Sequence, residues 1–165
     1  MEEGGRMPEV MKNMRCMVMV LLPLVAVACT GAAPGGAKME VAELGLSMDA
    51  PPGWRVERNV PGTCTKGDSS GVVISEPLEG RSFAERADTL SQGQSGQVLS
   101  KSPTTIAGCE AIQAVVAYPT TGAKAMKAYI HKGNTLIEVS FVTPEPEFAA
   151  SEPSFRACIG SIEIR

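Results

Sequence analysis

The stretch Met126-Lys127-Ala128-Tyr129-Ile130-His131-Lys132-Gly133-Asn134-Thr135-Leu136-Ile137-Glu138-Val139-Ser140-Phe141 decides the fold. Met126, Ala128 and Ile130 alternate with Lys127, Tyr129 and His131, and beyond Lys132-Gly133-Asn134 the residues Ile137, Val139 and Phe141 alternate with Glu138 and Ser140. A period of two on both sides of a short Gly-Asn turn is the pattern of a β-hairpin, because successive strand side chains point to opposite faces. The polar members of the alternation predict a sheet with one dry face and one wet face.

Working upstream, Ile112, Ala114, Val116 and Tyr118 alternate along a strand that turns at Pro119-Thr120-Thr121-Gly122, and Val98 to Ile106 reads as the strand before it. Leu44, Leu46 and Met48 alternate ahead of the turn Asp49-Ala50-Pro51-Pro52-Gly53. Trp54 and Val56 then begin a returning strand, and Gly62 to Gly71 is polar and loop-like. Val72-Val73-Ile74 is a short β-branched strand that ends near Pro77.

Two helices interrupt the strands. Ser82-Phe83-Ala84-Glu85 matches a capping box, in which the serine hydroxyl and the glutamate carboxylate satisfy free amides at a helix start. Phe83, Ala87 and Leu90 line one face of this helix, which should run to about Gln92, with Gly93 and Gly96 able to end it. The second helix takes Ser151 as its cap and Pro153 in its first turn, with Phe155, Cys158, Ile159 and Ile162 at the spacing of a buried face. Ile162-Glu163-Ile164 remains as a terminal strand. These elements predict an α+β domain over residues 41–165, an antiparallel β-sheet flanked by helices, without an internal repeat.

Residues 1–28 read differently. Lys12 and Arg15 form a positive front, and the apolar run from Met17 to Ala28 is too short for a transmembrane helix of about 20 residues. Small residues then lead into Cys29, which is the layout of a secretory signal. Ala26-Val27-Ala28-Cys29 resembles the bacterial lipobox, in which a peptidase cuts just before a cysteine that carries diacylglycerol; that pattern prefers Leu where Ala26 stands. The alternative is a general secretory signal with an Ala-x-Ala cleavage site and an ordinary thiol at Cys29. The lipobox makes Cys29 a lipidation site, with palmitate-type chains whose buried CH₂ groups contribute about 0.8 kcal/mol each. Glu2, Glu3 and Glu9 place negative charge where a positive front is wanted, so translation from Met11 or Met7 is expected. Residues 29–40, rich in Gly, Ala and Pro, read as a flexible tether.

The chain has 165 residues and a formal net charge of −3, and its mature region holds no Lys/Arg cluster, which argues against a nucleic-acid partner. Of five cysteines, Cys16 lies in the signal and Cys29 at the anchor, leaving Cys64, Cys109 and Cys158 in an exported, oxidising compartment. Cys158 fits a helix core, whereas Cys64 and Cys109 fall beside Pro61-Gly62-Thr63 and Ala107-Gly108, so a Cys64–Cys109 disulfide is expected. A redox or metal role for these thiols is the alternative, although no C-x-x-C occurs. His131, the sole imidazole, adjoins the Lys-Gly-Asn turn and reads as an exposed polar residue rather than a general base. Ser69-Ser70-Gly71 and Gly93-Gln94-Ser95-Gly96 lack the strand-turn-helix context of a nucleophile elbow or the lysine of a phosphate loop. Trp54 either lines a ligand groove or plugs the end of the core.

Leu46-Ser47-Met48-Asp49-Ala50-Pro51-Pro52-Gly53-Trp54 resembles the opening strand and P-x-G-W turn of the PsbP-like and DcrB-like proteins. The hairpin from Ala128 to Ile137 and the helix-to-strand passage from Phe155 to Ile164 are similar to theirs as well. The resemblance spans nearly the whole domain from about Leu44. It implies an α/β/α sandwich of the type shared with the Ran-binding Mog protein, and a binding or accessory module rather than an enzyme. The metal ligands of photosystem members find no matching His/Asp/Glu cluster in this chain.

The sequence therefore predicts a non-catalytic, exported bacterial lipoprotein, membrane-bound through Cys29 and facing the periplasm or exterior. It would serve as an interaction or assembly module for another envelope protein, with no cofactor. The alternative is a small-molecule or metal-binding lipoprotein with a groove between sheet and helices.

Overall fold

The computed structural model describes residues 36–165. In chain order its strands and helices are β1 (Lys38–Val41), β2 (Leu46–Asp49), β3 (Arg55–Val56), β4 (Thr63–Lys66), β5 (Ser69–Pro77), α1 (Phe83–Gln92), β6 (Gln97–Ile106), β7 (Cys109–Tyr118), β8 (Ala123–Lys132), β9 (Thr135–Pro144), α2 (Glu145–Gly160) and β10 (Glu163–Ile164). The signal sequence, the lipidation site Cys29 and most of the tether lie outside the described residues.

The large sheet is seven-stranded and antiparallel in the order β3-β4-β5-β9-β8-β7-β6, with β5, β9, β8 and β7 inside it and β6 at one edge. The hairpin that opened the sequence reading is its middle: His131 pairs with Leu136, and the ladder runs on to Ala123 and Pro144. A second sheet, β1-β2-β10, packs with α2 on one face of the large sheet. Together they enclose an apolar core that includes Met39, Leu46, Met48, Met126, Ile130, Phe141, Phe155 and Ile159. α1 covers part of the other face over Ile112, Val116, Tyr129 and Leu136. The architecture is thus α+β, with helices on both faces of the large sheet.

The aromatic centre of the first core ties α2 to the large sheet. Phe155 of α2 stacks on Phe141 of β9 at 5.0 Å between ring centroids, and Trp54 meets both rings edge-on at 5.6 and 6.1 Å. Such contacts add about 0.5–1.5 kcal/mol per pair beyond burial. Gly71 makes room for them: a Cβ there would sit 2.7 Å from Cys64 Sγ and 2.8 Å from Phe141. The helix is pinned at its end by Ser161, whose hydroxyl accepts from the Asp49 amide (2.9 Å) and donates to the Cys158 carbonyl (2.7 Å).

α1 begins as the sequence requires, with Ser82 and Glu85 forming the reciprocal capping box. Several expectations change. Lys38–Val41 is a strand paired with β2, so regular structure starts inside the stretch read as tether, because Met39 and Val41 bury into the core. Arg55–Val56 does not return along β2 but joins β4 in the large sheet. The region read as a loop from Gly62 to Gly71 contains β4 and the start of β5, with Cys64 opposite Gly71. Thr63, Thr65 and Ser70 lie half-buried or exposed in an outer hairpin, whereas Ser69 is buried against Thr143, its hydroxyl 2.8 Å from the Thr143 hydroxyl.

α2 starts at Glu145, six residues before the expected cap at Ser151. Pro146 sits in the first turn, where its missing amide costs nothing, and Glu145 and Glu147 favour the positive end of the helix dipole. Phe148 lies two turns before Phe155 on the same buried face, which carries the helix through Pro153. The wet face predicted for the central hairpin is also corrected. Lys127, Tyr129, Glu138 and Ser140 are all buried, and the reason is the cover that α1 and the neighbouring strands provide.

Candidate functional site

The face under α1 is only partly closed. At ten residues α1 is about 15 Å long, whereas the ten-residue strands beneath it reach about 33 Å. Beside and beyond its C-terminal half the sheet lies open, forming a groove of about 690 Å³. Its walls are Val72 and Ile74 of β5, Leu90 of α1, Val142 of β9 and the β7–β8 turn with Tyr118. Ile74 is 39% exposed, an aliphatic side chain where a solvated sheet face would carry a polar one.

The floor carries the chemistry. Lys127 of β8 and Glu138 of β9 are only 7% and 5% exposed, and Lys127 Nζ lies 2.8 Å from Glu138 Oε1. The register explains the pairing: Lys127 is opposite Ser140 and Tyr129 opposite Glu138, so the two charges are diagonal neighbours on one face. Burial works against the Lys127 charge, but the Glu138 carboxylate, joined at high pH by the phenolates of Tyr129 and Tyr118, outweighs it and holds the ammonium above the ordinary lysine range. Burial pushes the Tyr129 hydroxyl up to about 12. Ser91 Oγ, 3.0 Å from that hydroxyl, ties α1 to β8. At the groove's rim Arg86 of α1 pairs with Glu76 of β5, which fixes the helix against the strand.

The residues singled out in the sequence lie elsewhere. Trp54 packs on Phe141 and Phe155 in the core of the opposite face and does not line this groove. Cys64 and Cys109 are both free thiols. Four strand spacings separate β4 from β7, roughly 19 Å at about 4.8 Å each, whereas a disulfide needs Cα atoms within about 7 Å. The expected Cys64–Cys109 bridge is therefore not formed. Cys64 is instead fully buried in the core, where burial pushes its thiol up to about 11, and Cys158 likewise rises to about 12. His131 Nδ1 lies 3.0 Å from Glu110 Oε2, and its ring stacks on Phe83 at 5.0 Å. This pair docks the start of α1 onto the sheet. Among the described residues, no group of three or more His, Cys, Asp or Glu side chains is placed to hold a metal ion.

The sequence reading missed Lys127 and Glu138 because alternation alone placed them on a wet face. The signal that points to them is the mismatch in length between a capped ten-residue helix and ten-residue strands, together with Val72-Val73-Ile74, which puts aliphatic side chains on both faces of β5.

No protein-family model matches the chain, and no curated protein matches it in sequence. Solved structures do match in fold. The chain is similar to the cyanobacterial PsbP protein CyanoP of Synechocystis, with a TM-score of 0.54 at 14% identity, over 84% of this chain and 98% of that one. It is equally similar to PA94 of Pseudomonas aeruginosa, at a TM-score of 0.54 and 14% identity over 78% of this chain and 96% of that one. LpqN of Mycobacterium tuberculosis, involved in cell envelope biogenesis, matches at a TM-score of 0.50 and 12% identity, over 81% of this chain and 87% of that one. These likenesses establish the PsbP-like α+β fold.

Proposed function

We propose that this protein is a non-catalytic, lipid-anchored module of the bacterial cell envelope that works by holding another envelope component. The observation that carries the reading is the groove beside α1, where exposed Ile74 and the other aliphatic walls stand over a buried Lys127–Glu138 pair. A buried ion pair contributes little to stability compared with well-packed apolar residues. Its presence in the floor of an open groove fits recognition better than scaffolding. The lipobox-like sequence at Cys29 supports an anchored, exported location, and the fold shared with LpqN, a protein of cell envelope biogenesis, agrees with it.

A second reading, a small-molecule-binding lipoprotein, draws on the same groove, whose volume of about 690 Å³ lies within the range typical of ligand sites. Two measurements test the proposal in a bacterial host that makes the full chain. A photo-crosslinking residue at Ile74 should give a discrete protein adduct in intact membranes, and the same residue at exposed Glu147 on α2 should not. Equal labelling at both positions would remove the groove as the binding surface. Metabolic labelling with a palmitate analogue should mark the wild type and not Cys29→Ser.

A further inference from the structure

We infer that the groove takes an uncharged aliphatic molecule that carries a hydroxyl group, with the hydroxyl seated on Ser140, Lys127 and Glu138 and the aliphatic body against Val72, Ile74 and Leu90. This rests on the reading of the groove as a binding surface and names the chemistry it accepts.

The observation behind it is Ser140. Six polar residues are buried among the described residues: Ser69, Ser91, Lys127, Glu138, Ser140 and Thr143. The others are satisfied within the chain: Ser69 meets Thr143, Ser91 meets the Tyr129 hydroxyl and the Ala87 carbonyl, and Lys127 meets Glu138. Ser140, 3% exposed, has no side-chain hydrogen-bond partner among the described residues, although buried polar groups nearly always have one. Its hydroxyl is not sealed in either, because among those residues Arg86 Nε is the sole side-chain polar atom that is both fully enclosed and unpartnered. Ser140 lines the groove, so its hydroxyl opens onto it.

Register puts that hydroxyl at the boundary between two kinds of surface. Across the ladder Ser140 stands between Val72 of β5 and Lys127 of β8, and Ile74 pairs with Glu138 in the next row of the same face. Toward β8 the floor is therefore polar, and toward β5, continued by Val142 and by Leu90 of α1, it is aliphatic. A ligand that fits both is amphiphilic. It is also uncharged: Lys127 and Glu138 neutralise each other and Arg86 holds Glu76 at the rim, so a carboxylate or ammonium group brought into the groove would find no counter-ion. A hydroxyl is the smallest neutral group that donates and accepts at once, and the floor offers both kinds of partner, since Glu138 accepts, Lys127 donates and Ser140 does either. The volume of about 690 Å³ suits a small molecule.

The test uses the full chain in lipid nanodiscs and dodecanol bearing a mid-chain diazirine, with matched probes that end in a carboxylate, an ammonium group or a plain methyl. After photolysis, mass spectrometry should find dodecanol on peptides from β5 and α1 at about tenfold the yield of each matched probe present at the same concentration in the nanodisc. Ser140→Ala should lower the dodecanol yield about fivefold, the size of one hydrogen bond, and leave the denaturation midpoint unchanged because no bond within the chain is lost. Ile74→Asp, at an exposed position, should lower the yield as well. Equal yields from all the probes overturn the inference, as does dodecanol labelling that survives Ser140→Ala or a Ser140→Ala variant whose midpoint falls together with its labelling. If no probe marks the groove while the Ile74 crosslink still forms, the ligand class is wrong and the binding-module reading stands. If dodecanol marks the groove and no protein adduct forms, the inference stands and the small-molecule reading replaces the assembly one. If both are absent, both fall.

Discussion

The two faces of the central sheet are built on opposite principles. The face under α2 and the small sheet is closed: Phe155, Phe141, Trp54, Met48 and Ile159 interlock there, with two thiols sealed among them. The face under α1 is half open, and its buried centre holds an ion pair, a tyrosine and a serine. Apolar closure gives stability without selectivity, because it is non-directional. Fixed polar groups beneath an opening give selectivity at little gain in stability. The contrast fits the proposed division, in which the α2 face holds the fold and the α1 face binds.

That division is open to direct attack by mutation. Phe155→Ala should remove the aromatic centre of the closed face and cost about 3–5 kcal/mol in chemical denaturation. A loss below about 1 kcal/mol would mean that the closed face is not the principal core. On the open face, Lys127→Met alone should strand the Glu138 charge and cost about 3 kcal/mol, whereas the Lys127→Met/Glu138→Leu pair should restore stability nearly to wild type. A double variant as unstable as the single one would make the pair structural and erase the contrast.

Gly71→Ala pushes a methyl group into Cys64 and Phe141, and about 1–3 kcal/mol of overpacking cost is expected from its denaturation midpoint.

Alkaline titration separates the faces further. The folded thiols of Cys64 and Cys158 ionise at about 11 and about 12 instead of the ordinary 9.0, so the unfolded chain sheds protons that the folded chain keeps. Their contribution to stability should therefore be fully present below about pH 9 and be lost as pH rises toward 11 and 12. Cys64→Ala/Cys158→Ala should flatten that decline from pH 9 upward, while Tyr129→Phe, whose unfolded hydroxyl ionises at 10.0, should flatten it only above pH 10. The smallest stability effect belongs to Ile74→Asp, within about 0.5 kcal/mol of wild type because the side chain is exposed, yet with loss of groove binding.

Most of the fold was legible along the chain wherever periodicity was strong. The hairpin from Met126 to Phe141, the strands at Val98 to Ile106 and at Ile112 to Tyr118, and the capped helix at Phe83 all stand where their patterns put them. The failures have physical causes. The β4 strand was hidden because Thr63, Thr65 and Lys66 belong to an outer hairpin with little to bury, and such a strand lacks apolar alternation. The first two turns of α2 were hidden because Pro153 imitates a helix start. A Cys64–Cys109 bridge looked reasonable from turn-like surroundings, but the strand order, which places four spacings between their strands, is not written in either segment.

The sequence by itself determined the strands of the central meander, the capped start of α1, the α+β class and the signal-like pattern that leads into Cys29. It did so because those features rest on local periodicity, capping and composition. Only the tertiary structure decided that Trp54 belongs to the core, that both faces of the central hairpin are buried, and that Lys127 meets Glu138 on the floor of a groove. Strand order and register bring those residues together, and the shortness of α1 leaves the groove open above Lys127 and Glu138. Both are properties of how elements assemble, not of any one stretch of chain.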